Sequence, residues 1–173
     1  MNIVLIGYRG SGKSTVGKRL AQLLGMAFVD TDVLIIERAG RSIREIFAAE
    51  GETGFRERES AVIQEVAARS NTVIAAGGGA ILRPENVVAM KRSGKVVWLQ
   101  AEPEVLHARI SGDSATAANR PHLTQLGGGV EEIRAVLEKR LPLYAAAADV
   151  TIDIGRIPLE EAVAHIQESL ADR

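Results

Sequence analysis

The chain has 173 residues, 46% hydrophobic and 25% charged, a balance that fits one soluble globular domain with a sizeable core. A net charge of −1 argues against nucleic-acid binding by bulk positive charge, and the absence of cysteine excludes disulfides, thiolate catalysis and Cys-based zinc sites. No signal-peptide pattern and no apolar run long enough to span a bilayer is found, so a cytoplasmic protein is expected, with neither nucleic acid nor membrane as partner.

A first strand, Ile3–Ile6, runs into Gly7-Tyr8-Arg9-Gly10-Ser11-Gly12-Lys13-Ser14-Thr15, and a helical pattern of Val16, Leu20, Leu23 and Leu24 follows. A strand, then this loop, then a helix is the setting in which G-x-x-x-x-G-K-[ST] carries meaning. The glycines let successive backbone N–H groups turn inward as a nest for phosphate oxygens, and the helix N-terminus adds positive partial charge. Gly10, Ser11, Gly12, Lys13, Ser14 and Thr15 are therefore expected to bind a nucleoside triphosphate. Lys13 would reach the β- and γ-phosphates, and the Ser14 hydroxyl would bind Mg²⁺.

The second strand, Ala27–Asp30, ends in Asp30-Thr31-Asp32. Asp and Thr are good helix caps, and a helical pattern starts at Val33, so one acid is expected to cap. Two acids at a strand end beside a phosphate loop suggest more. One could help hold Mg²⁺, largely through water, and the other could orient or deprotonate a substrate hydroxyl. Further on, Ser42 and Glu45 have the spacing of a capping box, and a helix runs from Phe55 through Val62, Ile63 and Val66. Arg56 and Glu59, at i and i+3, are within reach of each other, which leaves Arg56 open between a surface ion pair and a site residue.

The third strand, Thr72–Ala76, runs into Gly77-Gly78-Gly79. Many P-loop proteins carry a metal-binding Asp at this strand end, and its absence here raises the value of Asp30. Three bare glycines also let the backbone approach a ligand closely. After a fourth strand, Val96–Leu99, and a helix begun by Pro103, the segment from Ser111 to Leu123 is rich in small residues and weakly patterned. Such loops inside compact domains are commonly lids, so this one, about 111–123, is expected to be a lid. Its Arg120 is a candidate phosphate clamp, acting as an arginine finger does.

The helix from Val130 has Ile133, Val136, Leu137 and Tyr144 on its apolar face, and Arg140 falls on the same stripe. An inward Arg needs an anionic partner, either a buried carboxylate or the carboxylate of a ligand. Pro142 is expected to loosen this helix. The fifth strand, Val150–Ile154, leads through Gly155-Arg156-Ile157-Pro158 to the last helix. Short Val- and Ile-rich strands alternating with helical patterns imply an α/β fold, a parallel sheet with helices on both faces and ligands at the strand ends.

Together these residues resemble the shikimate kinase family over essentially the full chain. The family's P-loop matches Gly7–Thr15, its Asp-x-Asp matches Asp30 and Asp32, and its Phe-Arg pair matches Phe55-Arg56. Its triple glycine matches Gly77–Gly79, and its lid Arg-Pro matches Arg120-Pro121. Its helical Arg ahead of Pro-Leu-Tyr matches Arg140, and its adenine-loop pattern matches Ile152-Asp153 through Pro158.

The resemblance implies a three-layer P-loop NTPase fold of nucleoside-monophosphate-kinase type, with strand order 2-3-1-4-5. It implies a single domain over residues 1–173, with the acceptor-binding region at about 31–60. Shikimate would be held by Asp32, Arg56, Gly77, Gly78, Gly79 and Arg140, the two arginines taking its carboxylate. The nucleotide at the P-loop would be ATP, and Arg120 and Arg156 would contact it. Lys13, Asp32 and Arg120 are the implied catalytic residues, and Ser14 and Asp30 would hold one Mg²⁺. The expected reaction is ATP plus shikimate to ADP plus 3-phosphoshikimate, by a monomer, in the route to chorismate and the aromatic amino acids. One departure stands out. Many members place a hydroxyl residue just before the triple glycine, where this chain has Ala75 and Ala76, which leaves more of the metal-water contact to Asp30. A gluconate-kinase-like enzyme is the nearest alternative. A GTPase switch would need Asn-Lys-x-Asp, and Asp-x-x-Gly after the third strand, and neither is present.

Overall fold

The computed structural model of the chain describes residues 1–113 and 121–171. Five parallel strands form one sheet in the order β2-β3-β1-β4-β5: β1 Asn2–Ile6, β2 Ala27–Asp30, β3 Thr72–Ala75, β4 Gly94–Gln100 and β5 Val150–Asp153. Every residue of β1 and β3 is buried. A strand covered by helices on both faces has no polar side to show, which is why these two read as near-continuous apolar runs. The expected strand order and the helix-covered parallel sheet are both observed.

Among the described residues the sheet is accompanied by seven α-helices: α1 Lys13–Leu24, α2 Thr31–Ala39, α3 Ile43–Ala67, α4 Pro84–Ser93, α5 Pro103–Gly112, α6 Val130–Ala147 and α7 Leu159–Ala171. The expected capping box starts α3, with the Ser42 hydroxyl accepting from the Glu45 N–H and the Glu45 carboxylate from the Ser42 N–H. Gly51, at φ 70°, breaks α3 into two pieces. The second piece turns Phe55, Arg56 and Glu59 inward along with Val62, Ile63 and Val66. Arg56 and Glu59 thereby lie beside Gly79 and Gly77, past the end of β3, and Phe47 meets Phe55 across the break at 4.8 Å between ring centroids. Pro142 leaves α6 continuous, and the helix carries Glu132, Ile133, Val136, Leu137, Arg140 and Tyr144 on its buried side. Trp98 of β4 stacks on Tyr144 at 5.5 Å, which fixes that face of α6 against the sheet.

Candidate active site

The loop between β1 and α1 takes the conformation its glycines permit. Gly10 and Gly12 sit at φ 80° and 83°, where a Cβ would be strained. The Lys13 ammonium lies back across the loop and donates to the carbonyls of Gly7 at 2.8 Å and Tyr8 at 3.0 Å. The Ser14 hydroxyl donates to Oδ2 of Asp30. The other oxygen of Asp30, Oδ1, accepts from the backbone N–H of Asp32 at 3.0 Å and of Val33 at 3.2 Å, capping α2. One carboxylate thus both caps the helix and faces the phosphate loop. A pocket over this loop is lined by Gly10, Gly12, Lys13, Ser14 and Thr15, by Asp30 and Asp32, and by Ala75, Ala76 and Arg109.

A second pocket adjoins the first and takes side chains from the second piece of α3. Arg56, Gly78, Gly79 and Arg140 line it, with Phe55, Glu59, Pro121 and Leu123. Nη1 of Arg56 donates to Oε1 of Glu59 at 2.7 Å, and the guanidinium lies 5.3 Å from the centroid of the Phe55 ring. Glu59 is 1% exposed. Burial pushes its carboxyl above the ordinary range, and the neighbouring Arg56 charge opposes that rise. Arg140 is 8% exposed and, among the described residues, forms no ion pair. One turn on, the Tyr144 hydroxyl donates to the Gly78 carbonyl at 2.6 Å, and burial pushes its pKa up to about 12.

The triple glycine sits where these side chains crowd. A Cβ on Gly77 would lie 2.8 Å from Oδ1 of Asp32 and 2.7 Å from Oε2 of Glu59. A Cβ on Gly79 would lie 2.3 Å from Nη1 of Arg56. The glycines therefore do more than turn the chain: they leave room for one carboxylate pair and one guanidinium.

Two residues, Asp32 and Arg9, line both pockets. Asp32 is expected at that junction from the sequence, and Arg9 is not. A third cleft, beyond Ser11, Gly12 and Thr15, is bounded by Arg109, Ile154 and Ile157. There Nη2 of Arg109 donates to the Ile154 carbonyl at 3.1 Å. Arg156 is not drawn into any of these pockets. Its side chain is 78% exposed and pairs with Asp153 at 3.3 Å. Arg120 and most of the expected lid, residues 114–120, lie outside the described residues. Sequence reasoning missed Arg9, Arg109 and Glu132, and it took Glu59 only as a surface partner for Arg56. Glu132 did leave a signal: with Val136 and Arg140 it repeats every four residues on the buried side of α6.

The shikimate kinase family model matches residues 9–171. The chain belongs to the shikimate kinase family. A shikimate kinase of Symbiobacterium thermophilum is 49% identical over 100% of this chain and 98% of its own length. One of Rhodopirellula baltica is 48% identical over 95% of this chain and 88% of its own. The solved structure of Acinetobacter baumannii shikimate kinase in complex with shikimate superposes with a TM-score of 0.90 at 38% identity, covering 98% of this chain and 92% of that one. As a shikimate kinase the chain is a transferase, and the gluconate-kinase-like and GTPase alternatives fall away. Ala75 and Ala76, just before the triple glycine, line the phosphate pocket. No helix among the described residues is long and apolar enough to cross a membrane.

Proposed function

We propose that the chain transfers the γ-phosphoryl group of ATP to the 3-hydroxyl of shikimate through the two adjoining pockets. The observation that carries this reading is their shared wall: Asp32 faces both the phosphate loop and the pocket of Arg56 and Arg140. A hydroxyl held by Asp32 therefore stands beside the phosphates. The hydroxyl oxygen attacks the γ-phosphorus, the bond to the β,γ-bridging oxygen breaks, and ADP leaves. Asp32 accepts the hydroxyl's hydrogen bond and is placed to take its proton. Arg56 and Arg140 take the substrate carboxylate, and the glycine turn at Gly77, Gly78 and Gly79 lets the ring approach the backbone.

On the nucleotide side, the N–H groups of Gly10, Gly12 and Thr15 cradle the phosphates, while the Ser11 N–H ties the loop to the Tyr8 carbonyl at 3.2 Å. Lys13 exchanges its carbonyl partners for phosphate oxygens. The residues present suit Mg²⁺: the Ser14 hydroxyl and Asp30 carboxylate are hard oxygen donors meeting at the pocket, and no group of three metal-ligating side chains occurs among the described residues. That matches an ion held by one or two protein oxygens, substrate phosphates and water. Bound there, Mg²⁺ would neutralise the charge that builds on the phosphate oxygens. Arg109 bounds the cleft past the P-loop and is suited to the nucleoside. Arg120 and Arg156 keep the nucleotide contacts that the family resemblance gives them. On this reading the protein acts as a monomer in the cytoplasm.

The test is ADP release measured with shikimate, gluconate and AMP side by side, with ATP or GTP as donor. Shikimate with ATP should exceed gluconate and AMP by about 100-fold in kcat/KM. Equal or faster turnover of gluconate would overturn the reading.

A further inference from the structure

We infer that Glu132 is a positioning residue that ties the P-loop to the chain beyond residue 120 and so holds two walls of the acceptor pocket in register. Glu132 lies in the first turn of α6 and is fully buried. Its Oε1 accepts from the Thr124 backbone N–H at 2.6 Å and from the Thr124 hydroxyl at 3.0 Å. Its Oε2 meets Nη2 of Arg9 at 3.4 Å. A carboxylate taken out of water needs a cation and hydrogen bonds together, and it has both here. The N-terminus of α6 adds favourable partial charge.

The partners explain the function. Arg9 belongs to the P-loop and lines both pockets, while Leu123, next to Thr124, lines the acceptor pocket. One carboxylate thus joins two walls from distant parts of the chain. Glu132 bonds Arg9 and Thr124 and none of Arg56, Arg140 or Asp32, so it acts on the shape and charge of the pocket, not on the reacting atoms.

This rests on the proposed use of that pocket for shikimate, and the experiment separates the two ideas. If wild type does not phosphorylate shikimate, the proposed function itself fails. Given wild-type turnover, Glu132→Gln keeps an acceptor for Thr124 but removes the charge facing Arg9. Its KM for shikimate should rise roughly 10-fold, with KM for ATP within about 2-fold. Arg9→Met should raise the shikimate KM as much, whatever it does to the ATP KM through the phosphate pocket it also lines, and the double variant should have a shikimate KM no worse than either single one, because both cut one interaction. Thr124→Val, which keeps the backbone bond to Glu132 but loses the hydroxyl's bond to Glu132 and the one it accepts from the Leu126 N–H, should shift the same constant by less, and it carries the test if Glu132→Gln fails to fold. The inference is overturned by an unchanged shikimate KM, by equal rises in both KM values that track a lower Tm, or by full additivity with Arg9→Met.

Discussion

Arg56 and Glu59 form a buried ion pair inside the acceptor pocket, with 2.7 Å between Nη1 and Oε1. The pair that the sequence offered as an alternative to a substrate role is real, and it lines the pocket all the same. Glu59 fixes the guanidinium against Phe55, so Arg56 is oriented before any ligand arrives.

This separates the two arginines. Replacing Arg140, which has no ion pair among the described residues, should weaken shikimate binding by roughly 2–5 kcal/mol and barely change stability. Replacing Arg56 by Ala should cost binding and also stability, about 3–5 kcal/mol, because Glu59 is left buried and unpaired. Calorimetric titration of shikimate, and of an analogue lacking the carboxylate, checks the first effect, and urea melts check the second. If wild type prefers shikimate over the analogue no more than Arg140→Ala does, the carboxylate clamp is wrong.

The same pair predicts a pH dependence. Burial, opposed by Arg56, raises the Glu59 carboxyl above its ordinary 4.5, so the folded state binds that proton more tightly than the unfolded chain. The stabilisation is fully present below the unfolded pKa and is lost as pH rises through the folded one. Relative to Glu59→Gln, wild type should therefore lose stability as pH rises from about 4.5 and level off above the folded pKa. Urea melts of both proteins from about pH 4 to about pH 8 read this, since other carboxylates cancel in the difference. A difference that is flat, or that grows in favour of wild type, contradicts it.

The glycine turn offers a steric test. A Cβ on Gly79 would lie 2.3 Å from Nη1 and 2.4 Å from Nη2 of Arg56. Glu59 holds the guanidinium on one side and Phe55 flanks it, so it cannot retreat without breaking a contact. Gly79→Ala should weaken shikimate roughly 10-fold and leave ATP binding alone. Wild-type shikimate affinity in this variant would mean that Arg56 is not what reads the substrate.

How much of this was legible depends on what each feature is made of. The strands showed because burial on both faces demands Val and Ile. β4 nevertheless extends past the expected Val96–Leu99, because Gly94 and Lys95 pair through the backbone with Asn2 and Ile3 and need no apolar side chain. The loop, Asp30, Asp32 and the triple glycine could be singled out because they follow strand ends in short, fixed patterns, and the structure gathers them around the two pockets. Arg9 and Glu132 did not, because they are 123 positions apart and only folding makes them neighbours. Gly51 is the instructive middle case: the helical pattern was evident from Phe55 onward, while the earlier piece of α3 was marked only by its cap.

The last prediction concerns Asp30, whose two oxygens serve separate ends. Oδ1 caps α2 and Oδ2 takes the Ser14 hydroxyl. Asn is as good a cap as Asp, so Asp30→Asn should keep the helix start and lose the negative charge. Asp30→Ala should lose both, at about 1 kcal/mol for the cap. With Ala75 and Ala76 supplying no hydroxyl at the pocket floor, the charge on Asp30 has no nearby substitute among those strand-end residues. In Asp30→Asn, therefore, the Mg²⁺ concentration for half-maximal turnover should rise roughly 10-fold while Tm stays near wild type. In Asp30→Ala, both should move. Titrating Mg²⁺ at saturating ATP and shikimate, alongside thermal melts, distinguishes the two roles. If Asp30→Asn needs no more Mg²⁺ than wild type, Asp30 is a helix cap alone, and Ser14 meets the ion without it.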